Sequence, residues 1–281
     1  MAVRIVTDST ADIPPELARE LGVSVVPLSV IFGDEVYKEG VEISHDLFYD
    51  KLVRSKVLPT TSAPSVGDFL EVYEPLLSET DEIVSIHLSS KLSATCNNAR
   101  QAAEQLAERG ARIEVIDSQL ISVGLTFIVS AAARAATGGA SIDDIKTIAV
   151  RMIPRIHIIV VLDTLEYVRR GGRIGRARAF LGTMLRVKPL LYIRDGEVHP
   201  GERVRTKSMA LERIHQIVTS YPRVTEVGVA YSTNAHEAEE MRRRLGEALP
   251  AVAVTMTRLG PVIGVHAGPG VLGVGVLEGE E

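Results

Sequence analysis

Residues 188–205 read KPLLYIRDGEVHPGERVR. Two strand-like runs flank Asp195-Gly196. Asp-Gly between strands is a strong hairpin signal, because both central positions of the favoured two-residue turn need positive φ. A hairpin makes an antiparallel pair, and the chain before this one reads differently. Short apolar strands at residues 3–7, 23–32, 82–88, 113–116 and 156–162 alternate with helical stretches. These include 97–110, the long apolar 120–137, and 142–152. Strands separated by helices imply a parallel sheet covered on both faces. After the hairpin come helices at about 206–219 and 235–249, with strands at 227–231, 252–257 and 271–277. Hairpins with two helices suggest a mostly antiparallel sheet. The expected fold is therefore α/β with two domains: an N-terminal α/β/α domain over 1–165 and a C-terminal α/β domain over 166–281.

Local signals support these elements. Pro14-Pro15 opens a helix that Gly22 closes, the usual order of proline first and glycine last. Ser44, Ser65, Ser141 and Thr206 stand where N-caps are needed. Gly138-Gly139 ends the long apolar helix.

The chain has 281 residues, enough for two cores. Its 46% hydrophobic and 24% charged content are ordinary for a globular protein. A formal net charge of −5 argues against a general nucleic-acid binder, which shows a basic excess. The one cysteine, Cys96, allows no internal disulfide and suits a reducing, cytoplasmic setting. No apolar run approaches the ~18 residues of a membrane span. The N-terminus leads straight into a strand, so no signal peptide is expected.

Standard catalytic signatures are missing: there is no G-x-x-x-x-G-K-[ST], no G-x-S-x-G and no H-E-x-x-H. His236-Glu237-Ala238-Glu239-Glu240 lacks the second histidine and reads as a solvated helix face. Gly268 to Gly273 spells G-x-G-x-x-G, but a dinucleotide fingerprint follows a strand and opens a helix. Here a final strand follows, so the stretch reads as a glycine-rich turn that brings His266 close to something.

The informative pattern is hydroxyls at element ends. Asp8-Ser9-Thr10 follows the first strand, Thr60-Thr61-Ser62 precedes a helix, and Ser89-Ser90 with Ser93-Ala94-Thr95 lie between a strand and a helix. In a doubly wound sheet these are the carboxyl ends of strands, where ligands bind. Helix N-termini there suit an anion. The competing reading is simple N-capping. In Arg169-Arg170-Gly171-Gly172-Arg173-Ile174-Gly175-Arg176, the arginines at 169, 173 and 176 would share a helical face. The segment reads either as an anion-contacting or docking surface, or as a solvated helix broken at the glycines.

Several pieces together resemble the DegV family of bacterial fatty-acid-binding proteins, which includes the binding subunits of fatty acid kinase. They are IVTDSTADIPPELAREL, LPTTSAPS, IHLSSKLSATCNNA, EVIDSQ, LEYVRRGGRIG, KPLLYIRDGEV and GPVIGVHAGPGVLGV, in family order from residue 3 to about 276. The resemblance implies the same two-domain fold and a long-chain fatty acid such as palmitate, stearate or oleate in an apolar tunnel. Carried over by position, Thr61 and Ser93 would bond the carboxylate with His266 beside them. Ser62, Ser90 and Thr95 would be further donors behind. Arg170 and Arg173 would mark the head-group end or the partner-docking face. No metal and no cofactor are implied. The implied partner is a fatty acid kinase catalytic subunit that uses ATP to make an acyl phosphate, with at most transient membrane contact. Two other readings are a stand-alone acyl hydrolase or transferase, with Ser93 as nucleophile and His266 as base, and a lipid-sensing regulator.

Overall fold

The structure, a computed structural model, describes residues 3–55, 57–181 and 187–280. In chain order the first part comprises β1 (Arg4–Asp8), α1 (Pro15–Glu20), β2 (Val23–Val26), β3 (Ser29–Phe32), β4 (Glu35–Lys38), α2 (His45–Arg54), β5 (Thr60–Ser62), α3 (Val66–Leu77), β6 (Glu82–His87), α4 (Thr95–Ala107), β7 (Arg112–Asp117), α5 (Ser122–Thr137) and α6 (Ile142–Met152). The second part comprises β8 (Ile156–Val161), α7 (Glu166–Arg170), β9 (Lys188–Arg194), β10 (Glu197–Val204), α8 (Lys207–Ser220), β11 (Val224–Tyr231), α9 (Ala235–Ala248), β12 (Ala253–Arg258), α10 (Pro261–Ala267) and β13 (Leu272–Glu278).

Strands β2-β1-β6-β7 form an all-parallel sheet. Residues of β1 and β6 are buried on both faces, as a sheet covered on both sides requires. Phe69, Tyr73 and Leu106 of α3 and α4 pack on one face with Val6 and Ile83. The other face meets α5, whose Leu125, Ile128, Val129 and Ala132 are buried. The caps read from the sequence are present: Ser44, Ser141 and Thr206 each accept a bond from a first-turn amide, and Ser65 forms a full capping box with Asp68.

The second sheet runs β10-β9-β8-β13-β11-β12 and is antiparallel except between β11 and β12. The Asp195-Gly196 hairpin forms as expected, with φ of +51° and +76°. Helices α8 and α9 cover the outer face through Ala210, Ile214, Met241 and Leu245. The inner face packs on α5, which touches both sheets. That contact needs bare backbone: a Cβ on Gly275 would stand 2.6 Å from Val123 Cγ2. The α/β fold with one parallel and one mostly antiparallel sheet is therefore the observed one.

Three local expectations are corrected and one helix is added. The run 156–162, counted with the parallel strands, is β8 and pairs antiparallel with β9 and β13. It is β-branched and half of it faces each side of a sheet, so its own pattern cannot say which sheet it joins. A division drawn by sheet membership thus falls before Ile156, ahead of 165/166. The run 23–32 is two strands. Pro27 separates β2 from β3, and β3 leaves to form a small antiparallel sheet, β4-β3-β5. The arginine–glycine segment is not one helix but breaks at its glycines. After α7 the chain turns at Gly172, φ +71°, and continues as a 3₁₀ helix, Gly175–Phe180, so Arg169, Arg173 and Arg176 share no common helical face. Finally, the tail holds α10, a stretch given no element from sequence, just ahead of the glycine-rich turn. Its valines and central Gly264 hide a seven-residue helix that burial against α2 and the small sheet stabilises.

Candidate functional site

A cavity of about 470 Å³ lies where the carboxyl ends of β1 and β6 face the inner side of the second sheet. Strand alternation builds its wall. On β8, Ile158 and Val160 point into it, while Ile159 and Val161 point to the α8–α9 core. In register beside them on β9 are Ile193 and Leu191. Gly273 of β13 lies beside Val160, and Ala230 of β11 lies beside Gly273. These two small residues, in a wall otherwise of Ile, Leu and Val, leave the space that larger side chains would fill.

One part of the lining is polar. Thr61 is on β5, held by pairing to Val30 of β3. His266 is on the last turn of α10. Their side chains meet, Thr61 Oγ1 to His266 Nε2 at 2.9 Å, across 205 residues of chain. Ser93 lines the same cavity just before α4. Its Oγ accepts from Thr95 N at 3.3 Å and lies 2.8 Å from Thr95 Oγ1. Ser62 and Arg173 also line it. Arg173 Nε donates to Leu92 O at 3.1 Å and Nη1 to Gly171 O at 2.7 Å, so it braces the loop that carries Ser93.

Three of the residues singled out lie outside the lining. Thr95 sits buried behind Ser93. Ser90 turns to Asp117, whose carboxylate accepts from both its amide, at 3.2 Å, and its hydroxyl. Arg170 is exposed and pairs with Glu166.

His266 is neutral at ordinary pH. Burial, and then the nearby charge of Arg173, push its pKa down to about 4. Its Nδ1 has no hydrogen-bond partner. A serine–histidine hydrolase needs the two side chains bonded and a carboxylate on the other ring nitrogen. Here Ser93 bonds Thr95, and His266 bonds Thr61. Asp8, His87 and Ser85 do run in hydroxyl–imidazole–carboxylate order, at 2.7 and 3.0 Å. All three are fully buried, none lines the cavity, and Tyr73 donates to Ser85 at 2.7 Å. Asp8 also accepts from Leu88 N and Thr10 N, so the network ties down two loops whose residues line the cavity.

Sequence reasoning missed three contributors. Asn98 lines the cavity, and its Nδ2 donates to Pro64 O at 2.7 Å, fastening the first turn of α4 to the segment after Thr61. Glu39, buried, and Asp12, half-buried, are carboxyls at the start of α10. Asp12 Oδ1 accepts from Gly260 N at 2.8 Å and Glu39 Oε1 from Val262 N at 2.7 Å. Burial raises both pKa values, and each carboxyl's neighbouring acid adds to it; Glu39 reaches about 7. The N-terminal end of the helix that carries His266 is thus anchored by acids of the first part of the chain. Asp12 lay inside a quoted motif, but nothing in the sequence marks either acid as buried.

Among the described residues no group of three or more His, Cys, Asp or Glu is placed to hold a metal, and no helix is long and apolar enough to cross a membrane. The G-x-G-x-x-G stretch runs from helix through turn to strand, the reverse of a dinucleotide site.

An apolar cavity at the junction of two sheets, with hydroxyls and an imidazole in its lining, is the kind of pocket an α/β protein offers to a small ligand. The chain belongs to the DegV family: a family model described as "Uncharacterised protein, DegV family" matches residues 2–279. It is 36% identical over 278 residues to a DegV domain-containing protein of Deinococcus radiodurans, covering 98% of each chain. The structure of a fatty-acid-binding DegV family protein from Thermus thermophilus matches at a TM-score of 0.92 and 35% identity, covering 99% of this chain and all of that one. A stearic-acid-binding protein from Eubacterium ventriosum matches at 0.91 and 27%, covering 98% of both.

Proposed function

We propose that this protein binds a long-chain fatty acid, with the acyl chain in the cavity and the carboxylate at Thr61, Ser93 and His266. The observation that carries this reading is the pairing of Thr61 with His266 on the wall of a mostly apolar cavity. Burying about fifteen methylenes at ~0.8 kcal/mol each supplies on the order of 12 kcal/mol before association costs. A carboxylate cannot follow the chain into such a place without donors. Hydroxyls from β5 and from the loop before α4, and an N–H of neutral His266, are donors that need no proton uptake. Arg173 contributes the nearby positive charge. Thr95 supports the Ser93 hydroxyl from behind, and Ser62 lines the cavity next to Thr61. Fatty-acid binding by the Thermus and Eubacterium relatives supports the same ligand class here.

The protein acts as a cytoplasmic carrier that presents the carboxylate to an ATP-dependent fatty acid kinase, which forms the acyl phosphate. Exposed Arg170, and Arg173 at the cavity wall, face that partner. The test is to extract the purified protein with organic solvent, analyse the lipid by mass spectrometry, and measure binding of palmitate and oleate. Absence of lipid together with no binding refutes the reading. Ser93→Ala and His266→Ala should each lower acyl-phosphate formation with the kinase more than they lower chain burial. Wild-type turnover by both would remove them from the head-group site.

A further inference from the structure

The two adjacent glycines of the arginine–glycine segment have different reasons to be glycine. Gly172 has φ +71°, and a Cβ there would meet nothing within 4 Å, so its need is conformational. Gly171 has φ −70° and ψ −5°, values any residue adopts. A Cβ on it, however, would stand 2.2 Å from Nδ1 and 3.0 Å from Cε1 of His266; the next atom, Tyr167 O, is 3.2 Å away. No carbon is tolerated that close to a ring nitrogen, so any side chain at 171 must displace the imidazole.

We propose that Gly171 is a positioning residue for His266: its bare backbone is the wall against which the imidazole rests, and this holds Nε2 on Thr61. The consequences fit the geometry. Nδ1 faces Gly171 and has no hydrogen-bond partner, so packing rather than a hydrogen bond fixes that side of the ring. The carbonyl of the same residue accepts from Arg173, which in turn donates to Leu92 O, next to Ser93. One turn therefore sets the places of two of the three proposed carboxylate contacts. The functional consequence rests on the fatty-acid reading above, whereas the positioning itself does not.

The experiment compares Gly171→Ala, Gly172→Ala, His266→Ala and the Gly171→Ala/His266→Ala double variant. The readouts are palmitate affinity by calorimetry, thermal unfolding, and the His266 ring titration by NMR. In Gly171→Ala, His266 should titrate above its buried value of about 4, toward an ordinary histidine. Palmitate affinity should fall roughly 10- to 100-fold, the worth of one bond to a charged group, as in His266→Ala. The double variant should lose nothing more than His266→Ala alone, and Gly172→Ala should leave the His266 titration unchanged. An unmoved His266 titration in Gly171→Ala overturns the proposal. If Gly171→Ala does not fold, the double variant, which removes the clash, must fold; its failure also overturns it. If His266→Ala binds palmitate like wild type, the carboxylate assignment of His266 fails, and the NMR titration still decides the positioning.

Discussion

Replacing Glu39 by glutamine should change how stability depends on pH. The Glu39 carboxyl is buried at the N-terminus of α10, with Oε1 on Val262 N and no hydrogen-bond partner on Oε2. In the unfolded chain it titrates near 4.5; in the fold, desolvation and the neighbouring acid Asp8 hold its proton up to about 7. A raised folded pKa means that the folded state keeps a proton the unfolded state has released. Its contribution is fully present below pH 4.5 and is lost as pH rises to about 7. A shift of about 2.5 units at ~1.4 kcal/mol per unit amounts to on the order of 3 kcal/mol, with no solvent discount for a group this buried. Glutamine mimics the protonated form and does not titrate. The buried neutral His266 slopes the other way, losing stability as pH falls from 6.5 toward 4. It is present in both proteins, so the difference between them isolates Glu39 and its coupling to Asp12. Urea unfolding at half-unit steps from pH 4 to 8 is the assay. The variant should match wild type near pH 4 and exceed it by about 3 kcal/mol at pH 8. Parallel profiles, or a difference that shrinks with rising pH, would refute the reasoning.

Two further outcomes follow from the same structure. Ala230→Leu fills the cavity beside Gly273, so shorter acyl chains should gain over palmitate, each excluded methylene costing ~0.8 kcal/mol or about fourfold in affinity. Competition between lauric and palmitic acid checks this, and an unchanged ratio counts against the wall described here. Asp8→Ala strips an acceptor from His87, Leu88 N, Thr10 N and Thr10 Oγ1, all within the fully buried network or its backbone. Leaving several buried donors unpaired should cost at least about 3 kcal/mol in urea unfolding. A loss under about 1 kcal/mol would show that water or rearrangement replaces the carboxylate.

Much of this was legible in the chain. The hairpin at Asp195-Gly196, the serine and threonine caps, and the alternation of apolar strands with helices are local signals, carried by residues that need one backbone geometry or one nearby amide. The hydroxyl at 93 was legible as one that follows a parallel strand, β6, whose end lies on the ligand edge of the sheet. Thr61 instead sits within β5 of the small antiparallel sheet, so its place depended on the pairing with β3. Other features depended on contacts between residues far apart. Strand β8 has the same apolar pattern in either sheet, and only the partners β9 and β13 assign it. Helix α10 is too short and too rich in β-branched residues to announce itself, and it stands because α2 and the small sheet bury it. Asp12 and Glu39 look like surface acids until the start of α10 closes over them. Gly171 and Gly172 are alike as letters; one answers to its own φ, the other to an imidazole 95 residues later. Backbone preference is written residue by residue, whereas space and desolvation exist only once distant segments share a volume.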